Sequence, residues 1–254
     1  MDLIDKEIVK NSNKIINEVS DKSRAEIEFL VIEKTGRIWP YHGGKKALSA
    51  STLTKILRDI EYEKIPDFIL LRAAERGKNF HDAIQEFVEK GNYPSFVDLP
   101  EFKKLSNLDR RIHETINFLK TKKSLNLKKF LGSEKLHYVF YKEELLGTFV
   151  DLEFDNHIIE LKTSNIKSSS SPLALLIFEI QLLIQYLCTG KNIYLLWSTG
   201  EGIIFNEFQI TPNSLKVLDM LMELLHNGEN YSLQMKKAII KEVLINYSSP
   251  KKII

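Results

Sequence analysis

From Lys135 to Ser164 the chain reads "KLHYVFYKEELLGTFVDLEFDNHIIELKTS", three strand-like runs with tight connections at Lys142 to Leu145 and at Asp155 to His157, where acidic residues and Asn favour turns. The flanks have another rhythm. Ile4, Ile8, Ile15, Ile16 and Val19 fall at near-helical spacing and predict an amphipathic N-terminal helix. "EIEFLVIEKTGRIWPYHGG" alternates and ends in turn residues, which predicts a short strand or hairpin. "SASTLTKIL" opens with Ser residues suited to an N-cap. "IPDFILLRAAERGKNFHDAIQEFVEKGN" reads as a long helix with Gly77 as the place for a break, and "LPEFKKLSNLDRRIHETINFLKTKK" as a further helix. After the strands, the polar "SNIKSSSSP" leads into an apolar helix, "PLALLIFEIQLLIQYLCTG", that stops near Gly190. "NIYLLWSTGEGIIFNEFQI" predicts a hairpin turning at Gly200 to Gly202. Two helices close the chain, the first with Thr211 as N-cap and Pro212 at its first position, the second on "SLQMKKAIIKEVLI". The order of helices, three strands, helix, two strands and helices predicts an α/β fold, and there is no internal repeat.

Composition narrows the class without naming an activity. A chain of 254 residues that is 43% hydrophobic can bury a substantial core. The formal charge of +2 neither requires nor forbids a polyanionic partner. The lysines of "LKTKKSLNLKKFLGSEK" read as a solvated face. One cysteine, Cys188, excludes a disulfide framework and a Cys-ligated zinc or iron–sulfur cluster within one chain. With no signal-peptide core and no uninterrupted apolar run of transmembrane length, the expectation is a soluble intracellular protein with no membrane partner, cytoplasmic or encoded by a virus or phage and acting in the host cell.

The strand region carries charge where a buried strand should be apolar. On a strand over Ile158 to Lys162, Glu160 and Lys162 share one face and Ile159 and Leu161 the other. Asp151, on the preceding strand, can come level with Glu160. Two carboxylates and an ammonium on one patch suit metal-assisted phosphodiester hydrolysis, because Mg²⁺ takes oxygen ligands and keeps several waters for substrate to displace. Lys162 could orient the attacking water, help deprotonate it, or oppose charge on the transition state. The same residues also fit a structural ion pair at a sheet edge. Upstream, His81 follows Gly77 on a helix with Arg76 just before it, and a lone helical His is more often a surface or core residue. Downstream, Gln181 and Gln185 lie one turn apart on an apolar helix. Facing a core they need partners, and facing a groove they could bind phosphate or the carboxylates.

Taken in order, R-G-x-x-x-H, G-x-x-x-D, E-x-K-T-S and a helical Q resemble the RecB-like branch of the PD-(D/E)XK nuclease superfamily, and within it the mitochondrial genome maintenance exonucleases, over about Ser49 to Leu196. The resemblance implies a restriction-endonuclease-like αβββαβ core with extra terminal helices. Residues 1–48 would then form an N-terminal extension, 49–210 the nuclease core, and 211–254 helices packed on it. It implies Mg²⁺ or Mn²⁺ held by His81, Asp151, Glu160 and the backbone carbonyl of Leu161, with Lys162 catalytic and Gln181 assisting. DNA contacts fall to Arg76, Ser49, Ser51, Thr163, Ser164, Gln185 and Tyr186, and Glu134 resembles an acidic position on the first strand. The implied activity is exonucleolytic cleavage of DNA, single-stranded or with a single-stranded end, in processing, repair or recombination. One departure is that the branch has Tyr four residues after its Gln. Here that place is Gln185, a candidate to substitute, and Tyr186 is rotated away from Gln181. The single cysteine removes the relatives with an iron–sulfur cluster as a guide. Two other readings stay open: a nucleic-acid-binding or assembly protein on a nuclease-like fold that does not cleave, and a helical adaptor whose charged strand is an edge device.

Overall fold

The structure is a computed structural model and describes residues 27–32, 36–92, 106–122, 125–164, 171–227 and 230–246. The predicted N-terminal helix lies outside those residues. The first hairpin is present as strands β1 (Ile27–Ile32) and β2 (Arg37–His42), extended by the two-residue β3 (Lys45–Lys46) into a small antiparallel sheet. Ser49 then caps α1 (Ala50–Leu53), its Oγ accepting from the Thr52 amide at 3.1 Å, and α2 (Lys55–Glu61) follows directly.

Helix α3 (Asp67–Lys90) runs through Gly77 without the break that the sequence offered. A Cβ at Gly77 would meet nothing within 4 Å, so the glycine crowds no neighbour. Glycine weakens a helix interior by about 1 kcal/mol, and burial of Phe80, Ile84 and Phe87 outweighs that. Helix α4 (Asn107–Thr121) packs beside α3 through Ile112, Ile116 and Leu119.

The alternating region forms β4 (Phe130–Tyr141), β5 (Glu144–Phe154) and β6 (His157–Thr163), joined by the two predicted turns. Helix α5 (Pro172–Thr189) ends at Gly190, which adopts a left-handed φ of 65°. Strands β7 (Asn192–Ser198) and β8 (Ile203–Glu207) complete the second hairpin, and α6 (Pro212–Asn227) and α7 (Leu233–Asn246) close the chain. The five strands run in the order β4-β5-β6-β7-β8, antiparallel except for the β6–β7 pair. That parallel pair requires a crossover, and α5 is the crossover. Helices, β4-β5-β6, α5 and β7 therefore give the expected αβββαβ order, as a mixed sheet flanked by helices with additional helices beyond it.

One core lies on the α5 side of the sheet and joins Leu53, Leu57, Val150, Ile158, Leu183, Trp197 and Leu218. The other joins Phe80, Ile84, Ile116, Leu152, Ile159 and Leu161 on the side of α3 and α4. Trp39, Ala47, Phe140 and Leu145 pin the small sheet to β4 and β5. Interrupted by Glu179, Gln181 and Gln185, α5 is still long and apolar enough to span a membrane by length and composition, and 67% of it is buried inside the fold.

Candidate active site

The central feature is a seam. Strands β5 and β6 pair only at Leu152–Ile159 and Glu153–Ile158, and they part at Asp151 and Glu160. The β4–β5 ladder also skips Asp151: its register passes from Leu152 to Val150 around Glu134, whose φ is +48°. Residues two apart in a regular strand share a face. Here Leu152 enters the α3-side core and Val150 the α5-side core, so β5 changes face at Asp151.

Parting strands frees main-chain groups that a sheet would pair, and side chains take them up. The Leu161 amide donates to Asp151 Oδ2 at 2.8 Å. Gln85 Nε2 reaches the Asp151 carbonyl at 3.5 Å, and Gln185 Nε2 reaches the Phe149 carbonyl at 3.4 Å. Into this seam α3 brings His81, whose Nδ1 lies 3.3 Å from Asp151 Oδ1. Helix α5 brings both glutamines from the opposite side. Gln181 Nε2 donates to Glu160 Oε1 at 2.5 Å, Gln185 Nε2 donates to Glu160 Oε2 at 2.6 Å, and Lys162 Nζ donates to Glu160 Oε1 and, at 3.1 Å, to Gln181 Oε1. The Lys162 ammonium also lies 5.7 Å from the centroid of the Phe178 ring.

Burial and mutual charge set the protonation states. Burial raises the Glu160 pKa and the Asp151 charge raises it further, against the pull of Lys162 and Gln185. For Asp151 burial also opposes ionisation, but His81, Lys162 and the Leu161 amide prevail and hold its carboxyl below the ordinary range. Burial opposes the charged forms of His81 and Lys162, and the carboxylates outweigh it: Asp151 chiefly for His81, Glu160 and then Asp151 for Lys162, so both pKa values are raised.

The structure thus brings together Asp151, Glu160, Lys162, Gln181, Gln185 and His81, all inferred from sequence. Gln185 is fully buried and spends its amide on Glu160, so it contacts the carboxylate and not solvent. Tyr186 packs against the α5-side core, and Glu134 pairs with Arg37 at 2.5 Å, so neither joins the carboxylates. Arg76, Thr163 and Ser164 line a separate cavity of about 370 Å³, together with Arg111. Ser49, Ser51 and Gln181 line another of about 380 Å³.

Sequence reasoning did not find Gln85 or Arg111. Gln85 lies one turn after His81 on the same face of α3, so the spacing carried the signal. Arg111 falls within the apolar stripe of Leu108, Ile112, Thr115 and Ile116 and is buried, donating to Thr163 Oγ1 at 3.1 Å. A charged residue in a stripe that faces the core was its mark.

No protein-family model matches this chain, and no curated protein matches it in sequence. Among solved structures it is similar to a protein of Eubacterium rectale provisionally named an exonuclease, at 14% identity and a TM-score of 0.42, covering 72% of this chain and 81% of that one. It is also similar to SSO0001, at 13% identity and a TM-score of 0.35, covering 90% of this chain and 88% of that one. Neither likeness is close enough to carry an argument about activity, and the functional reading rests on the seam.

The donor set suits a hard divalent cation. Two carboxylates close enough for one to raise the pKa of the other present charge that such a cation would relieve, and His81 adds a nitrogen. Among the described residues no three His, Cys, Asp or Glu side chains are gathered into a ready cage. Mg²⁺, which keeps several waters, needs only one or two carboxylates, although here it would compete with Lys162 and the two glutamines for Glu160.

Proposed function

We infer that the protein is a divalent-metal-dependent nuclease, acting on DNA and as an exonuclease, as its motifs imply. The observation that carries this reading is the seam itself, in which β5 and β6 give up pairing at Asp151 and Glu160, leaving Asp151 half-buried and Glu160 buried beside Lys162. A sheet stabilised only by packing has no reason to interrupt its ladders around two carboxylates.

Asp151, Glu160 and His81, with the Leu161 carbonyl, would hold Mg²⁺ or Mn²⁺, which supplies Lewis acidity and a more acidic bound water. Lys162, which donates to Glu160 and Gln181, would position the attacking water and oppose negative charge at phosphorus. Gln181 bridges Lys162 and Glu160 and fixes the ammonium in that orientation. Gln185, from the buried side, aims Glu160 into the seam. Arg76, with Thr163 at the end of the lysine strand and Ser164 just beyond it, receives the neighbouring phosphate.

End-labelled single strands, duplexes and flaps incubated with Mg²⁺ or Mn²⁺ test this reading. Degradation should vanish in EDTA and fall at least ~100-fold for Lys162→Ala, and undiminished activity in that variant overturns the mechanism. One observation favours the second reading, a strand-binding protein that does not cleave: Glu160 is saturated by Lys162, Gln181 and Gln185 without any metal. Tight oligonucleotide binding in EDTA with no turnover in Mn²⁺ would select it.

A further inference from the structure

The cavity that reaches Gln181 has an unusual lining. It gathers three cationic side chains from three elements, Arg37 from β2, Lys46 from β3 and Arg58 from α2, and no Asp or Glu is among its described walls. Arg37 pairs with Glu134, but Lys46 and Arg58 have no ion-pair partner among the described residues. Arg58 Nη2 donates to the Ser51 carbonyl at 2.6 Å, and its Nε is buried without a hydrogen-bond partner there. Lys46 and Arg58 thus add like charge beside the paired Arg37 with no carboxylate of the described walls to offset it, and an anionic ligand relieves that.

The floor of the cavity is aromatic. Arg37 lies 4.9 Å from the centroid of the Phe149 ring, and Lys46 lies 5.6 Å from that of Trp39. Gly147 permits this floor: a Cβ there would approach Trp39 Cζ2 to 3.0 Å. Ser49 Oγ and Ser51 Oγ, 2.8 Å apart, add hydroxyls to the same wall. Gln181 belongs both to this wall and to the Glu160–Lys162 network, so one side chain links the cavity to the seam. The cavity holding Arg76 and Arg111 lies on the α3–α4 side, so cations flank the carboxylates from both faces of the sheet.

We propose that the β1–β3 sheet is part of the substrate site, and that Arg37, Lys46 and Arg58 form a subsite for the phosphodiester backbone of a single nucleic-acid strand next to the scissile bond. This rests on the nuclease reading for the word scissile, but not for the binding. At about 380 Å³ the cavity admits a nucleotide or two of one strand and excludes a duplex. The cations take phosphates, which every sequence offers, and the rings beneath Arg37 and Lys46 hold those cations in place.

The test is fluorescence anisotropy of the full chain with a labelled oligothymidine in EDTA, across a salt series. Single-strand binding weakens with salt in proportion to the phosphates neutralised, with a log–log slope of about 0.7 per contact. The double variant Arg37→Ala/Lys46→Ala should reduce the slope by about 1.4 and raise Kd about 25-fold at 0.1 M salt. Lys45→Ala, one residue away on β3 but outside this cavity, is the control for a general charge effect. Lys46→Glu on its own, at an exposed site where folding is not at issue, should weaken binding more than Lys46→Ala. A wild type that binds no oligonucleotide, or a double variant with unaltered Kd and slope, overturns the subsite. Failure of the nuclease reading shows separately, as binding that depends on Arg37 and Lys46 with no metal-dependent loss of label.

Discussion

Glu179 lies two residues before Gln181 on α5 and is wholly buried against α6, where Ser214 Oγ donates to its Oε1 and its Oε2 has no hydrogen-bond partner among the described residues. Burial raises its pKa from 4.5 to about 7, against the opposing pull of Ser214. An acid whose pKa is higher in the folded state than in the unfolded chain contributes its full stabilisation below the unfolded value and loses it as pH rises through the folded one. Between pH 4.5 and 7 the unfolded chain has released this proton and the native chain has kept it. Stability therefore falls by about 1.4 kcal/mol per pH unit over that window, about 3 kcal/mol in all, and then levels off. Glu179→Gln keeps an acceptor for Ser214 and removes the ionisation. Urea unfolding of both proteins from pH 4.5 to 8 isolates the effect, because every other titrating group cancels in the difference. Wild-type stability relative to the variant should drop by about 3 kcal/mol across the window, roughly 6–12 °C in Tm. Two curves that run parallel would refute the reasoning, by showing that the carboxyl is hydrated or ionised in the native state.

Other consequences follow from neighbouring contacts. Gln185→Ala leaves Glu160 Oε2 without its donor and should weaken Mn²⁺ binding by titration calorimetry about 10–100-fold. Lys191→Ala removes the 2.6 Å partner of Glu153 Oε1 while Lys135 and His137 stay 3.3 Å from Oε2, and should destabilise the fold by about 1–3 kcal/mol in chemical unfolding. Gly147→Ala forces Trp39 to shift and should cost about 1–3 kcal/mol, read as a lower Tm.

The strands of the central sheet were legible because Lys142–Leu145 and Asp155–His157 punctuate them and because Glu160 and Lys162 obey the two-residue period. The C-terminus of α5 was legible from Gly190, and the cap of α1 from Ser49. What sequence could not show is tertiary. Gly77 looked like a break because propensity is local, whereas the face formed by Phe80, Ile84 and Phe87 is not. Nothing in "GTFVDLEF" announces that β5 turns over at Asp151, since Val150 and Leu152 look alike until each is assigned a core. Motif position alone did not show that Tyr186 packs against the α5-side core or that Glu134 pairs with Arg37. The three cations beside Gln181 come from segments remote in sequence, and only folding assembles them.

The bond from the Leu161 amide to Asp151 alters what a mutant at that position can mean. Asp151 is at once a charged group and the clasp that joins two strands where their backbones have let go. Loss of nuclease activity in an Asp151→Asn variant would therefore conflate missing charge with a loosened sheet, and say little about ligation. Lys162 ties no main-chain group, and its removal leaves the clasp fastened. For separating chemistry from architecture in this protein, the lysine is the informative residue and the aspartate the ambiguous one.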